Sequence, residues 1–166
     1  MSFREPIKVL ADVIQEEMSL ADGQIMLAYE KWEIPKNPGM YVALNYVSSK
    51  PIGQRNYFDP TTSIEEQSST VHHVIQIDVM SFDSSARMRK EEIFMALTSM
   101  FSQQAQEENN LQIAMIPSDF VNTSSLEETK IMNRFTMTIA VTSTSRKVKK
   151  ADYFDQFATP EVTYND

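Results

Sequence analysis

Few residues in this chain have the type and spacing for chemistry. His72 and His73 are its only histidines. Neighbours on a strand point to opposite faces, so the two cannot readily grip one metal ion. His73 falls on the apolar side of the run from Val71 to Met80, which reads as a packed histidine rather than a ligand. Asp78 shares the other side with His72. At about 3.3 Å per residue along a strand, that separation is too long for a hydrogen bond, so no histidine–carboxylate base is expected. Acidic pairs stand at Glu16–Glu17, Glu65–Glu66, Glu91–Glu92, Glu107–Glu108 and Glu127–Glu128. A glycosidase needs two carboxylates facing each other across a cleft. These pairs lie in polar stretches read as helices and loops, where solvated faces explain them. The absence of cysteine excludes a disulfide, a thiolate metal site and a cysteine nucleophile. No serine sits in a G-x-S-x-G elbow. Gly23, Gly39 and Gly53 are scattered, which argues against a phosphate loop or a dinucleotide-binding turn. No catalytic residue, metal ligand or cofactor is assigned, and an enzyme is not expected.

The elements that would position any site follow from periodicity. Ile7, Leu10, Val13, Ile14 and Met18 form one helical stripe over Pro6–Leu20, with Pro6 suited to the first turn. Gln24–Trp32 favours a strand, and Pro35, Asn37, Pro38 and Gly39 make a turn. Met40–Ser48 is a strand rich in aromatic and β-branched residues. Val71–Met80 is another, with Val71, His73, Ile75, Ile77 and Val79 on the core face. A long helix is expected from Ser84 to about Glu108, capped by Ser84 or Ser85, with Ile93, Leu97, Met100, Phe101 and Gln104 along one side. Its basic group, Arg87, Arg89 and Lys90, and its acidic group, Glu107 and Glu108, would both oppose the helix dipole. Asn109–Asn110 closes it. Leu111–Ile116 is a short strand and Ser118–Lys130 a loop, with a turn of helix near Leu126 as one option. Met132–Thr144 is the last strand, with Phe135, Met137, Ile139 and Val141 facing inward.

These elements predict an α+β fold. A mostly antiparallel sheet carries the long helix and the shorter N-terminal helix on one face. Residues 1–150 form one domain, with a projecting loop at 49–69 that could instead be a hairpin with its tip near Asp59–Pro60. Tyr57 and Phe58 in this segment either mark a contact or fold back onto the sheet. Residues 151–166 form an aromatic tail, containing Tyr153, Phe154 and Phe157, that docks on its own body or on a neighbour. The eleven methionines suit adaptable packing, in the core or on a contact surface.

The chain has 166 residues, of which 42% are hydrophobic and 23% charged, an ordinary globular balance. Its net charge of −8 disfavours wrapping around nucleic acid. No apolar run approaches the roughly 20 residues that span a bilayer, so no membrane partner is expected. Lys8 and Asp12 interrupt the apolar start, unlike a signal peptide, and synthesis and solubility in a cytoplasm are expected.

The order of segments resembles the neck or tail-terminator proteins of tailed bacteriophages. The likeness runs through the short amphipathic helix, then GQIMLAYEKWEIPKNPGMYVALNYVSSKPIG with its proline-rich turn and YV-containing strand. It continues with HHVIQIDVMSFDSSA leading into a helix, the strand RFTMTIAVTSTS and the tail segment ADYFDQF. The resemblance implies assembly rather than catalysis. It implies a homo-hexameric ring on the tail tube that stops tube growth, joins the tail to the head connector or adaptor, and leaves a channel for DNA without binding it specifically. Sheath proteins are a further candidate partner. The location implied is the neck of the virion, assembled in the host bacterial cytoplasm. Tyr57, Phe58, Tyr153, Phe154 and Phe157 are the candidate interface anchors. Glu65, Glu66, Glu127 and Glu128 are the candidate lumen-facing acids, since acids lining a channel repel phosphate. The basic run from Arg146 to Lys150 departs from that pattern. It meets a neighbour's acids or balances local charge. A head-completion or connector protein is the nearest alternative, and a small cytosolic α+β binding module or enzyme the more distant one.

Overall fold

The computed structural model of the chain describes residues 4–31, 39–114, 117–127 and 130–150, with the backbone alone at 126–127 and 130–131. Helix α1 spans Pro6–Glu17, with Pro6 in the first turn where its missing N–H forfeits no hydrogen bond. Ile7, Leu10, Val13 and Ile14 are all buried, as the stripe requires. Strand β1, Ile25–Leu27, runs parallel to the inner end of β2, Tyr41–Asp59, pairing with Val42–Leu44. β2 turns back into β3, Ile64–Ser81, and β3 pairs antiparallel with β7, Lys130–Lys150. β4, Leu111–Ile113, lies on the other side of β7, giving the order β1-β2-β3-β7-β4.

The register aligns apolar rows. Val42, Val79 and Phe135 form one, Leu44, Ile77 and Met137 the next, and Tyr46, Ile75 and Ile139 a third. Ile7, Leu10 and Ile14 of α1 join these rows in one core, together with Ala86, Ile93 and Leu97 from the second helical region. Each such side chain contributes about 1.5–3 kcal/mol when fully buried. Among the described residues the opposite face carries a small cluster of Tyr41, Met80 and Met132, with Met26, Ala43 and Phe82 packed against it. The fold is α+β with a mostly antiparallel sheet.

Three expectations are corrected. The long helix over Ser84–Glu108 is three helices: α2 at Ser85–Arg89, α3 at Glu92–Thr98 and α4 at Met100–Asn109. Ser99 is extended, with φ −65° and ψ 163°, and its side chain accepts from the Ser102 N–H to cap α4. Ser102 in turn donates to the Leu97 carbonyl at 2.8 Å. The break resets the helical phase, so Ile93 and Leu97 are buried while Met100 is 77% exposed and Phe101 41% exposed. Arg87 and Arg89 then lie in the last turn of α2, where they no longer oppose a dipole, and Arg89 donates to the Met18 carbonyl beyond the end of α1. The capping groups before α2 are Ser81 and Asp83, which accept from Ala86 N–H and Ser85 N–H. Asn110 closes α4 in the left-handed conformation, φ 52°, which asparagine tolerates.

The second correction concerns Ser118–Lys130. This stretch contains two short strands, β5 at Val121–Asn122 and β6 at Ser125–Glu127, both pairing with β7. Their polar sequence hides them, because backbone pairing to a long neighbour holds them without an apolar face. The third concerns 49–69. It is not a loop but the hairpin given as the other option, the outer part of β2–β3, with Pro60–Ser63 as the turn. Asp59 closes that turn by accepting from Thr61 N–H at 2.9 Å and Thr62 hydroxyl at 2.8 Å.

Candidate functional site

β3 and β7 keep one unbroken register from Ser81–Asn133 to Ile64–Lys150. The apolar rows stop at His73, and beyond it the strands run on as a three-stranded arm. Nine residues of β3 lie past that point, about 30 Å at strand rise. The arm is a single layer. One of its faces continues the helix-covered side and carries Gln54, Asn56, Phe58, Gln67, Lys147 and Lys149. Gln54, Asn56, Gln67 and Lys147 line an open polar depression of about 380 Å³ there. The other face carries Arg55, Tyr57, Glu66, Arg146, Val148 and Lys150 in facing rows. Tyr57 is 54% exposed and Val148 56%.

β2 is paired on its far side only at Val42–Leu44, so among the described residues its edge is open from 45 to 59. Two bulges fall on this edge, and they place Val47 and Ile52 outside the pairing register. Pro51 removes a donor between them. Bulges, proline and charge are the usual guards of an open edge against indiscriminate pairing.

Charge divides the molecule. Residues 50–72 and 143–150 carry Lys50, Arg55, Arg146, Lys147, Lys149 and Lys150 against Asp59, Glu65 and Glu66, a formal +3 that leaves −11 on the remainder of a −8 chain. Lys149 pairs with Glu65 at 3.0 Å, and Arg146 pairs with Glu66. Hydrogen bonds from Lys149 and Gln67 hold the Glu65 carboxyl below the ordinary range. Among the described residues no acid pairs with Lys50, Arg55, Lys147 or Lys150.

No protein-family model matches the chain, and no curated protein matches its sequence. The site therefore rests on its own geometry.

His73 stands where the core ends and the arm begins. Ser49 Oγ lies 2.8 Å from its Nδ1 and Ser143 Oγ 2.9 Å from its Nε2, and the Tyr46 ring packs at 5.6 Å between centroids. Burial pushes the ring's pKa down, and the adjacent His72 adds to this. A serine nucleophile needs a base held by a third group, commonly a carboxylate. Here a hydroxyl fills that place, and the histidine is the packed, satisfied residue its position in the strand indicated. Asp78 is 5% exposed. It accepts from Arg134 at 2.8 and 3.2 Å, from Gln76 at 2.9 Å and from the Thr136 hydroxyl. Burial alone would raise its pKa, yet these donors and the Arg134 charge outweigh it and hold the carboxyl low. Among the described residues no group of acids and histidines could hold a metal ion, and no helix is long and apolar enough to cross a membrane.

The anticipated contact residues divide. Tyr57 is exposed on one face of the arm, while Phe58, its strand neighbour, is half-buried on the other. Tyr153, Phe154 and Phe157 lie outside the described residues, as does Glu128, and Glu127 is described by backbone only. Glu65 and Glu66 were expected in a loop. They sit on β3, so they point to opposite faces, each offset by a cation. Arg146 and Lys149 of the basic run thus balance charge within their own chain, while Lys147 and Lys150 pair with no acid among the described residues. Sequence reasoning missed Arg55 and Val148 as contact candidates. The signal for Val148 was available, since it is the one apolar residue inside the basic run Arg146–Lys150.

Proposed function

We propose that this chain is a structural virion protein, a tail terminator at the phage neck. Copies close into a ring, six by the resemblance, that caps the tail tube and joins it to the head connector around an open DNA channel. One observation carries the reading: a three-stranded arm leaves the body with, among the described residues, open edges and no helix cover. A single layer of sheet has no core of its own and gains stability by packing on a neighbour. A ring also needs heterologous contacts, and a projecting arm supplies one half of such a contact. The net charge of −8 per copy suits a passage that must not hold DNA.

The test is mass in solution over a concentration series, alone and with purified tail tubes. The expected result is a species of about 114 kDa, six copies of the 19.0 kDa chain, formed alone or templated by tubes. A concentration-independent monomer that ignores tubes would overturn the reading.

A further inference from the structure

We propose that the arm of one copy docks, head to tail, on an acidic groove between α1 and α4 of the next copy. The inference rests on the ring reading and names the surfaces that would build it.

The arm side of the contact is the face bearing Tyr57, Ile64 and Val148, exposed by 54%, 36% and 56%. In register, Tyr57 and Val148 flank Glu66 in one row and Ile64 lies between Asp59 and Lys150 in the next, with Arg55 and the Glu66-paired Arg146 in the row before. The receiving side is an open groove of about 510 Å³ lined by Asp12, Gln15, Glu16, Ser19, Leu20 and Phe101. It combines Glu16, and Asp12 in its pair with Arg4, with an exposed aromatic ring. The last turn of α1 contains no basic residue of its own, and Glu16 is exposed there. Arg55 and Lys150 on the arm and Glu16 in the groove, none of them in an ion pair among the described residues, thus set opposite charges beside exposed apolar groups.

Topology sets the two surfaces at opposite ends of the molecule. Ile7 N–H, at the start of α1, donates to the Tyr46 hydroxyl beside the base of the arm. The Met18 carbonyl, past the other end of α1, accepts from Arg89, which follows the body end of β3. Helix α4 runs the opposite way. Its C-cap Asn110 accepts from Thr144 N–H at the arm base, which puts Phe101 toward the far end. The arm therefore points away from its own groove, and the arm of another copy can fill it. A contact between two different surfaces repeats from copy to copy, and closes into a ring when the rotation allows.

Nucleic acid fits the arm less well. Glu66 sits in the middle of the apolar row, Arg146 is already paired with it, and −11 of formal charge lies on the rest of the chain.

The experiment compares wild type, Arg55→Glu/Lys150→Glu on the arm, and Glu16→Lys/Glu17→Lys beside the groove. All four positions are exposed, and matching circular dichroism and melting curves verify folding. Sedimentation mass is measured for each, with and without tail tubes. Each variant alone should associate at least roughly tenfold more weakly than wild type. Mixed together, each variant's arm meets a groove of opposite charge on the other, so the mixture should regain the association that each variant lacks alone. Tyr57→Ala should weaken association without any change of charge. If wild type assembles and all variants assemble equally well, the docking inference is overturned while the ring stands. If wild type is a monomer with or without tubes, the ring reading itself has failed. If wild type retains a short DNA duplex and the arm variant does not, the arm is a nucleic-acid surface and the inference is likewise overturned.

Discussion

The inner and outer halves of the same three strands differ in almost everything except their pairing. Inside, Leu44, Ile75, Ile77, Met137 and Ile139 are nearly inaccessible and lie under helices. Outside, the equivalent face carries Gln54, Asn56, Gln67, Ser69, Ser145 and Lys147, with no helix above it among the described residues. The hydrogen-bonded ladder does not change at the boundary, since β3 and β7 pass it without a register shift. The contrast separates two jobs commonly credited together to strand sequence. Backbone pairing sets how far the strands run, and the apolar rows set how far the helices follow.

That contrast is most easily broken by truncating both halves. Ile77→Ala in the inner half should lower unfolding free energy by about 2–5 kcal/mol, as for other buried large-to-small changes. Gln54→Ala in the arm should change it by no more than about 0.5 kcal/mol. Urea unfolding of the isolated protein measures both. Equal losses would mean that the arm contributes to the core after all.

A smaller effect is expected on the sheet face away from the helices. Asp78→Ala leaves Arg134, Thr136 and Gln76 without their shared acceptor at a buried position. The Arg134 side chain is 40% exposed and regains water, so the expected cost is about 1–3 kcal/mol rather than that of a fully buried orphan charge. Thermal melts of Asp78→Ala and Asp78→Asn should rank the asparagine variant as the milder.

The smallest effect belongs to the boundary itself. The pKa of His73 is lower in the folded chain than the ordinary histidine value of 6.5. The unfolded chain therefore binds a proton first as pH falls. The contribution of His73 to stability is complete above that ordinary value and is lost as pH drops through the folded pKa. The stability of wild type relative to His73→Gln should decline over that window, and a parallel pair of pH–stability curves would remove His73 from the account.

Much of this was legible from residues alone. The stripe in α1, the alternation in Val71–Met80 and the inward set Phe135, Met137, Ile139 and Val141 all marked buried faces, because burial imposes a period that sequence records directly. The packed state of His73 followed from the same alternation. The arm was harder to see. Its polar sequence carries no burial period, and the strands there are held by neighbours remote in the chain, such as Glu66 opposite Val148. The break at Ser99 was also hidden. A serine within an apolar run reads as one tolerated polar position until its cap to Ser102 is visible.

The sequence by itself determined the class of fold, the identity of the core face and the scarcity of groups suited to catalysis. Those properties depend on residue type and local period, which each stretch of chain carries independently. Only the tertiary structure decided that the basic run lies opposite Glu65 and Glu66, that Tyr57 and Val148 share an exposed row, and that the arm and the acidic groove stand at opposite ends. Those are relations between distant segments. They are set by register and by the direction of each element, which no local pattern encodes.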